Sequence, residues 1–417
     1  MLQQSIWFGV LAIGANALAY VYQLAMARML EPHQYSMVLA LVSFIAILLF
    51  PGNAFQAAVA VGTGRIVEWS GHSQVWRFVL RAGLSGVVAA SAVATMFFLF
   101  AAGLQNLFGF DGLWVVTWLA IGLVLSLGLS AMRGAMQGMQ QFARLGMVML
   151  GEAALRLIVA AVLVAMGFGV AGATAGFAIG YFGALGLAVW WLRSGSGGED
   201  GCVPSTHLWR VLREQVPAAW AAFGVFGVQA IDVVVANAQL PADQLEAYSA
   251  AALAGRIMFW AGFVLSLLVL PKFREMFPSH LFDRALVGWA FGALMVLLGG
   301  VLVIGFTVPG ILHLLLVGSR YAQDPVLMQT YLVGSAFLTL ALLLTYILIA
   351  AGWHRVWTVL VPVALGQTLA YVLWAESAME FAQVLVLGGA ALAVVTGIPT
   401  ALLLRGVKQV EGSQSET

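Results

Sequence analysis

MVMLGEAALRLIVAAVLVAMG, residues 147–167, is a run of about twenty mostly apolar residues, the length an α-helix needs to cross the hydrocarbon core of a bilayer. Near its middle stand Glu152 and Arg156. Four positions apart on a helix, they share a face and can pair. Pairing alone does not explain them, because a charge near the bilayer centre costs roughly 2.5–3.5 kcal/mol on insertion scales. A spanning helix that keeps such groups turns them toward protein or a water-filled cavity, so this stretch predicts a bundle of membrane helices, not a lone anchor.

The rest of the chain fits that expectation. Of its 417 residues 62% are hydrophobic and only 8% charged, and the mean hydropathy is +1.00, far outside the range of soluble domains. The apolar runs are long enough for spanning helices, and none shows the ten-residue alternation of an outer-membrane barrel. The fold class expected is therefore all-α and polytopic. Cys202 is the single cysteine, so no internal disulfide forms, and it has no Cys or His neighbour at zinc spacing. The N-terminal MLQQSIWFGVLAIGANALAY lacks a basic leader region and a small-residue cleavage site, and is expected to be a retained first span.

Twelve candidate spans follow, at roughly 5–27, 35–59, 78–102, 113–131, 146–166, 171–192, 216–236, 249–270, 285–306, 328–351, 357–374 and 381–404. The most polar connection, RSGSGGEDGCVPSTH, comes after the sixth. It predicts a six-helix bundle over 1–192, a cytoplasmic linker over 193–213, a second six-helix bundle over 214–404 and a cytoplasmic tail over 405–417. Fourteen of the eighteen Lys and Arg residues fall on the side shared by the two termini, Arg133 counted among them; Arg28 and Arg320 fall on the other side, and Arg156 and Arg256 lie within spans. By the positive-inside rule both termini are expected in the cytoplasm. The halves also echo one another. ARMLEPHQYSMVLALVSFI follows the first span and ANAQLPADQLEAYSAAALAGRI the seventh, each leading from a Pro-containing outer loop into Tyr-Ser and a new span. A parallel six-span repeat relates its bundles by a pseudo-twofold axis along the membrane normal.

Four charges are expected inside spans: Glu152, Arg156, Asp232 and Arg256, which sum to zero. Arg156 is the deepest cation, roughly 15 Å in at about 1.5 Å per residue. It either faces a cavity and meets an anionic group, with Glu152 orienting it, or locks with Glu152 against a neighbouring helix. Asp232 and Arg256 lie at similar depth in consecutive spans and can pair across the hairpin, as substrate contacts or as a clamp. Arg28 ends the first span, where it contacts substrate or snorkels to the interface. Gln23 and Asn53 line a cavity or bond neighbouring helices. Pro51-Gly52-Asn53 is expected to break the second span. Gly172, Gly176 and Gly180 predict a close helix approach, and tryptophans at span ends, such as Trp190 and Trp353, predict interfacial anchoring.

No GxxxxGK[ST] phosphate loop, HExxH, CxxC or GxSxG occurs, and no loop is large enough for a soluble catalytic domain. No catalytic residue, metal site or cofactor is expected, and the chain is not expected to be an enzyme or to bind nucleic acid.

Several motifs carry a family resemblance. ARMLEPHQYS (27–36) resembles the first-loop signature of the polysaccharide and oligosaccharide flippases, usually written with Leu-Gly-Pro and Tyr-Gly, from which Glu31 and Ser36 depart. MRGAMQGMQQFARLGMVMLGEAALRLIVAAVLVAMGFGVAGA (132–173) is similar to the family's stretch from the fourth loop into the sixth span. AIDVVVANAQLPADQLEAYSAAALAGRIMFWAGFVLSLLVLPKF (230–273) is similar to its spans seven and eight, and GSRYAQ (318–323) to the element before span ten. The resemblance implies a superfamily that also holds multidrug exporters and lipid II flippases, a V-shaped pair of bundles that alternate access, and a substrate such as a polyprenyl-diphosphate-linked glycan. Membrane lipids, glycosyltransferases and a polymerase of the same pathway are the partners implied. Two other functions fit the sequence: a multidrug or cation antiporter of the same superfamily, and a non-transporting membrane subunit of an exopolysaccharide synthesis or secretion complex.

Overall fold

The computed structural model describes residues 2–70, 74–194, 206–279, 284–321 and 323–414. Most of the expected linker, Cys202, Ala322 of the GSRYAQ element and the last three residues of the tail lie outside that set. The described residues form helices and no strand: α1 (Leu2–Met29), α2 (Pro32–Ser70), α3 (Val75–Leu99), α4 (Ala101–Phe108), α5 (Leu113–Gly138), α6 (Phe142–Ala165), α7 (Gly169–Ser194), α8 (Thr206–Gln239), α9 (Ala242–Ser279), α10 (Arg284–Thr307), α11 (Pro309–Leu316), α12 (Pro325–Ala350), α13 (Trp357–Trp374) and α14 (Ala378–Gln414). A single 3₁₀ turn, His354–Val356, leads into α13. Only helices and closed barrels satisfy their own backbone groups in lipid, and long apolar runs without alternation take the helical solution.

Eleven helices among the described residues are long and apolar enough to span a membrane. The seventh expected span falls on α8, whose described apolar stretch, Phe223–Gln239, is shorter. The chain divides into two compact units, Met1–Ala219 and Trp220–Thr417, with the division inside α8. Each has the same internal order. In the first unit the eight-residue α4 follows the third long helix; in the second, the eight-residue α11 does. The fourth long helix is central in both: α5 packs on α2 and α7, and α12 on the equivalent α9 and α14. A repeated order with repeated pairings is what the parallel sequence repeat anticipates.

Local chemistry sets the helix ends. Asp324 is the N-cap of α12, its Oδ1 accepting from the Leu327 N–H at 2.9 Å, and Pro325 occupies the first helical position, where no donor is missed. Between α6 and α7, Gly167 takes φ +91, a left-handed conformation that favours glycine. Outer faces are apolar: Leu84, Val88 and Met96 of α3 and Val296 and Val303 of α10 are exposed, as lipid-facing side chains must be. Trp190 and Trp353 are exposed near helix ends.

The expected break at Pro51 is absent, and α2 stays helical through Gly52 and Asn53. Close packing supports it there: a Cβ on Gly52 would lie 3.0 Å from Leu127 Cδ2 of α5. A proline costs a helix one hydrogen bond, and in a membrane bundle neighbouring helices hold the segment in register.

Candidate functional site

The first unit gathers its interior charges on two helices, α5 and α6. Glu152 of α6 is 5% exposed and paired on both sides: Arg156 Nη2 donates to its Oε1 and Arg133 Nη2 to its Oε2. The pair with Arg156 is the expected one-turn contact. The pair with Arg133 brings in a residue counted, from the sequence, among the cations on the side of the termini. Arg133 lies five residues before the end of α5 and Glu152 ten residues into α6, and the connection between the two helices is three residues long. Side chains lean toward the N-terminus of their own helix. On consecutive antiparallel helices Arg133 therefore leans deeper and Glu152 shallower, and the two meet. The interior charges of this unit then sum to +1, not zero.

Aromatic rings complete the setting. The Arg156 guanidinium carbon sits 4.2 Å from the centre of the Phe177 ring and 5.6 Å from that of Tyr181, both on α7. Such cation–π contacts contribute about 0.5–2 kcal/mol, more when desolvated. Tyr22 of α1 stands edge-on to Phe177 at 5.2 Å and donates its hydroxyl to the Ala173 carbonyl at 3.2 Å. The glycine face of α7 lets these rings reach Arg156. A Cβ on Gly176 would lie 2.8 Å from the Arg156 carbonyl oxygen, and one on Gly180 3.1 Å from that of Glu152. The Nε atoms of Arg133 and Arg156 are buried and have no hydrogen-bond partner.

The second unit handles its carboxylate differently. Asp232 of α8 is fully buried. Its Oδ2 accepts from Tyr331 of α12 at 2.6 Å and from Tyr248 of α9 at 3.0 Å. Arg256 approaches Oδ1 at 3.8 Å, so the cross-hairpin pair exists but is loose, and Oδ1 accepts no hydrogen bond. Tyr248 packs edge-on against Tyr331 and Phe381, and Phe381 stacks on Tyr371, whose hydroxyl accepts from Gln367 at 2.9 Å. Gln229, one turn before Asp232, is buried with neither side-chain polar atom bonded.

The sequence-derived candidates thus separate. Glu152 and Arg156 come together with the unanticipated Arg133; Asp232 and Arg256 come together with the unanticipated Tyr248 and Tyr331. Arg28 is exposed in the last turn of α1, and Asn53 is exposed on α2. Gln23 is half-buried on α1, its Oε1 lacking a partner. Among the described residues no three His, Cys, Asp or Glu side chains are grouped to hold a metal ion.

No family model and no curated protein matches the sequence. Solved structures do. The chain is similar to an inward-facing multidrug resistance transporter of the MATE family in the MOP superfamily, with a TM-score of 0.79 at 11% identity, over 95% of this chain and 99% of that one. An outward-facing multidrug resistance MATE transporter gives a TM-score of 0.67 at 11% identity, over 97% and 96%. A MOP superfamily transporter from Pyrococcus furiosus, described as having a binding pocket of reverse polarity that suggests a different function, gives 0.63 at 12% identity, over 97% and 96%. At such identities the likeness is one of fold: this chain has the all-helical MATE-type fold of two bundles.

Proposed function

We propose that this chain is a membrane transporter, not an enzyme, and that it carries a polyprenyl-diphosphate-linked oligosaccharide or polysaccharide precursor across the bacterial cytoplasmic membrane by alternating access, with both termini in the cytoplasm. The observation that carries the substrate assignment is the excess positive charge of the Arg133–Glu152–Arg156 cluster within the membrane-spanning helices of the first unit. A lipid-linked diphosphate must bring its anion through the apolar layer, and guanidinium groups offset that desolvation with charge-assisted, forked hydrogen bonds. The MATE-type fold supports transport as the activity. In the absence of a phosphate loop in the sequence, movement would follow a product gradient or an ion gradient. Glycosyltransferases and a polymerase of the same pathway would supply and consume the cargo. Gln23, Arg28 and Asn53 are candidate polar contacts along its path.

One observation favours a second reading, a multidrug or cation antiporter. Asp232 is a fully buried carboxylate with one oxygen free of hydrogen bonds and its arginine at 3.8 Å, a group that a cation or proton could neutralise.

The test measures the amount and sidedness of polyprenyl-linked glycan in cells lacking the gene, with wild-type or Arg156→Ala copies restored. Accumulation on the cytoplasmic leaflet, relieved by wild type and not by the variant, is expected. Unchanged lipid-linked glycan would turn the assignment toward drug efflux.

A further inference from the structure

Glu152 is a carboxylate gripped by two guanidiniums from different helices, one on each oxygen. A phosphate group binding the same two arginines would receive the same grip. Neither arginine is fully used: each keeps a buried Nε–H without a partner, and one carboxylate balances only one of the two charges. Arg156 is also seated on the faces of Phe177 and Tyr181, so its position does not depend on Glu152 alone.

We infer that Glu152 is the resident occupant of a phosphate-binding fork made by Arg133 and Arg156, and that the diphosphate of the substrate takes its place; this rests on the anion-carrying reading above. The exchange answers a physical difficulty. An arginine pair waiting empty in a low-dielectric layer would hold two uncompensated charges, the most destabilising arrangement for buried ions. With Glu152 in the fork only one of the two charges is left uncompensated when no phosphate is bound. When a phosphate enters, the carboxylate gives up its partner on the other helix, Arg133, while the one-turn spacing lets it stay beside Arg156. When the phosphate leaves, the carboxylate returns, so departure does not bare the charges. Arg133 is thus the specificity residue: it is the arm that the carboxylate vacates and that a second phosphate group can engage.

The experiment uses the purified full-length chain in lipid nanodiscs, titrated with inorganic diphosphate, with farnesyl diphosphate and with farnesol as the uncharged control. If Glu152 competes with the ligand, Glu152→Gln binds both diphosphates more tightly, by about tenfold or more, as expected for losing a charge-assisted bond that binding must break. Arg133→Gln binds them more weakly by a similar factor, and farnesol binds no variant differently. The diphosphates should also raise the melting temperature of Glu152→Gln more than that of wild type. Tighter binding of the farnesyl compound than of inorganic diphosphate assigns a lipid-linked source, and equal binding assigns the anion alone; both support the exchange. If wild type binds diphosphate, Arg156→Gln does not, and Glu152→Gln binds no tighter than wild type, the exchange is refuted while the anion reading stands. If neither wild type nor Glu152→Gln binds either diphosphate, both fall. Should Glu152→Gln not fold, Glu152→Asp takes its place: its carboxylate, one methylene shorter, cannot bridge both arginines, and tighter binding is again expected.

Discussion

Two glycines on one helix separate the packing that positions Arg156 from the intrinsic preferences of the helix. Gly176 and Gly186 both lie in α7, ten residues apart. A Cβ added at Gly176 would lie 2.7 Å from Ala160 Cβ and 2.8 Å from the Arg156 carbonyl oxygen, whereas one added at Gly186 would meet nothing within 4 Å. Replacing either by alanine removes the same helix-propensity penalty, about 0.8–1.0 kcal/mol. Only the Gly176 change forces α6 and α7 apart, by roughly 0.6 Å to restore ordinary contact, and a gap of 0.5–1 Å forfeits a quarter to a half of each dispersion well along the seam. Overpacking of this kind costs about 1–3 kcal/mol.

Gly186→Ala should therefore match or slightly exceed wild type in stability, and Gly176→Ala should fall below Gly186→Ala by about 1–3 kcal/mol, because the propensity gain is common to both. For a unit of this size that is a difference of roughly 2–12 °C in melting temperature between the two variants, read by tryptophan fluorescence of the purified protein in detergent. Because the backbone displaced is that of Arg156, Gly176→Ala should also weaken diphosphate binding while Gly186→Ala leaves it unchanged. Equal melting temperatures for the two variants would refute the close approach of α6 and α7, and with it the account of how Arg156 is aimed.

In the second unit, Tyr331→Phe removes the shorter of the two hydroxyl bonds to Asp232 and should cost about 0.6 kcal/mol and at most about 1.7, the range for hydrogen bonds between membrane helices; Tyr248→Phe, at 3.0 Å, should cost less. Equilibrium unfolding in detergent mixtures ranks them, and the reverse order would contradict the geometry. At the start of α14, Ser377 and Glu380 form a reciprocal cap: Glu380 Oε2 accepts from the N–H groups of Glu376 and Ser377, and Ser377 Oγ accepts from the Glu380 N–H. Ser377→Ala should accelerate amide exchange in the first turn of α14 by about fivefold and leave diphosphate binding unaltered; unchanged exchange would show that the cap contributes nothing.

How far the sequence could be read depended on whether a contact lies along one helix or between two. Glu152 and Arg156 are a one-turn pair, so spacing alone exposed them. Arg133 was hidden by its position near the end of α5, where a basic residue suggests the cytoplasmic flank; only the opposed lean of side chains on antiparallel neighbours brings it to Glu152. Asp232 and Arg256 were legible as a hairpin pair because their spans are consecutive. Tyr331 was not, because it reaches Asp232 from α12, ninety-nine residues away in the chain. The continuity of α2 through Pro51 was likewise invisible to local rules, since a neighbouring helix supports it. The short helices α4 and α11 fall at matching places in the two units, a regularity that the weak sequence echo indicated only at the first and seventh spans.

Among the described residues the two units bury one carboxylate each and surround it in different ways. Asp232 meets two neutral hydroxyls and one guanidinium, so the carboxylate and its surroundings sum to zero. Glu152 meets two guanidiniums. Stability alone would favour one cation there at most, since replacing a buried ion pair by apolar residues is often neutral or favourable. A second arginine adds a charge that costs roughly 2.5–3.5 kcal/mol to place in the membrane, and among the described residues Glu152 is the carboxylate paired with either. On the proposed function, that cost is offset by an anion that comes and goes, which is the use this excess cation inside one bundle would have.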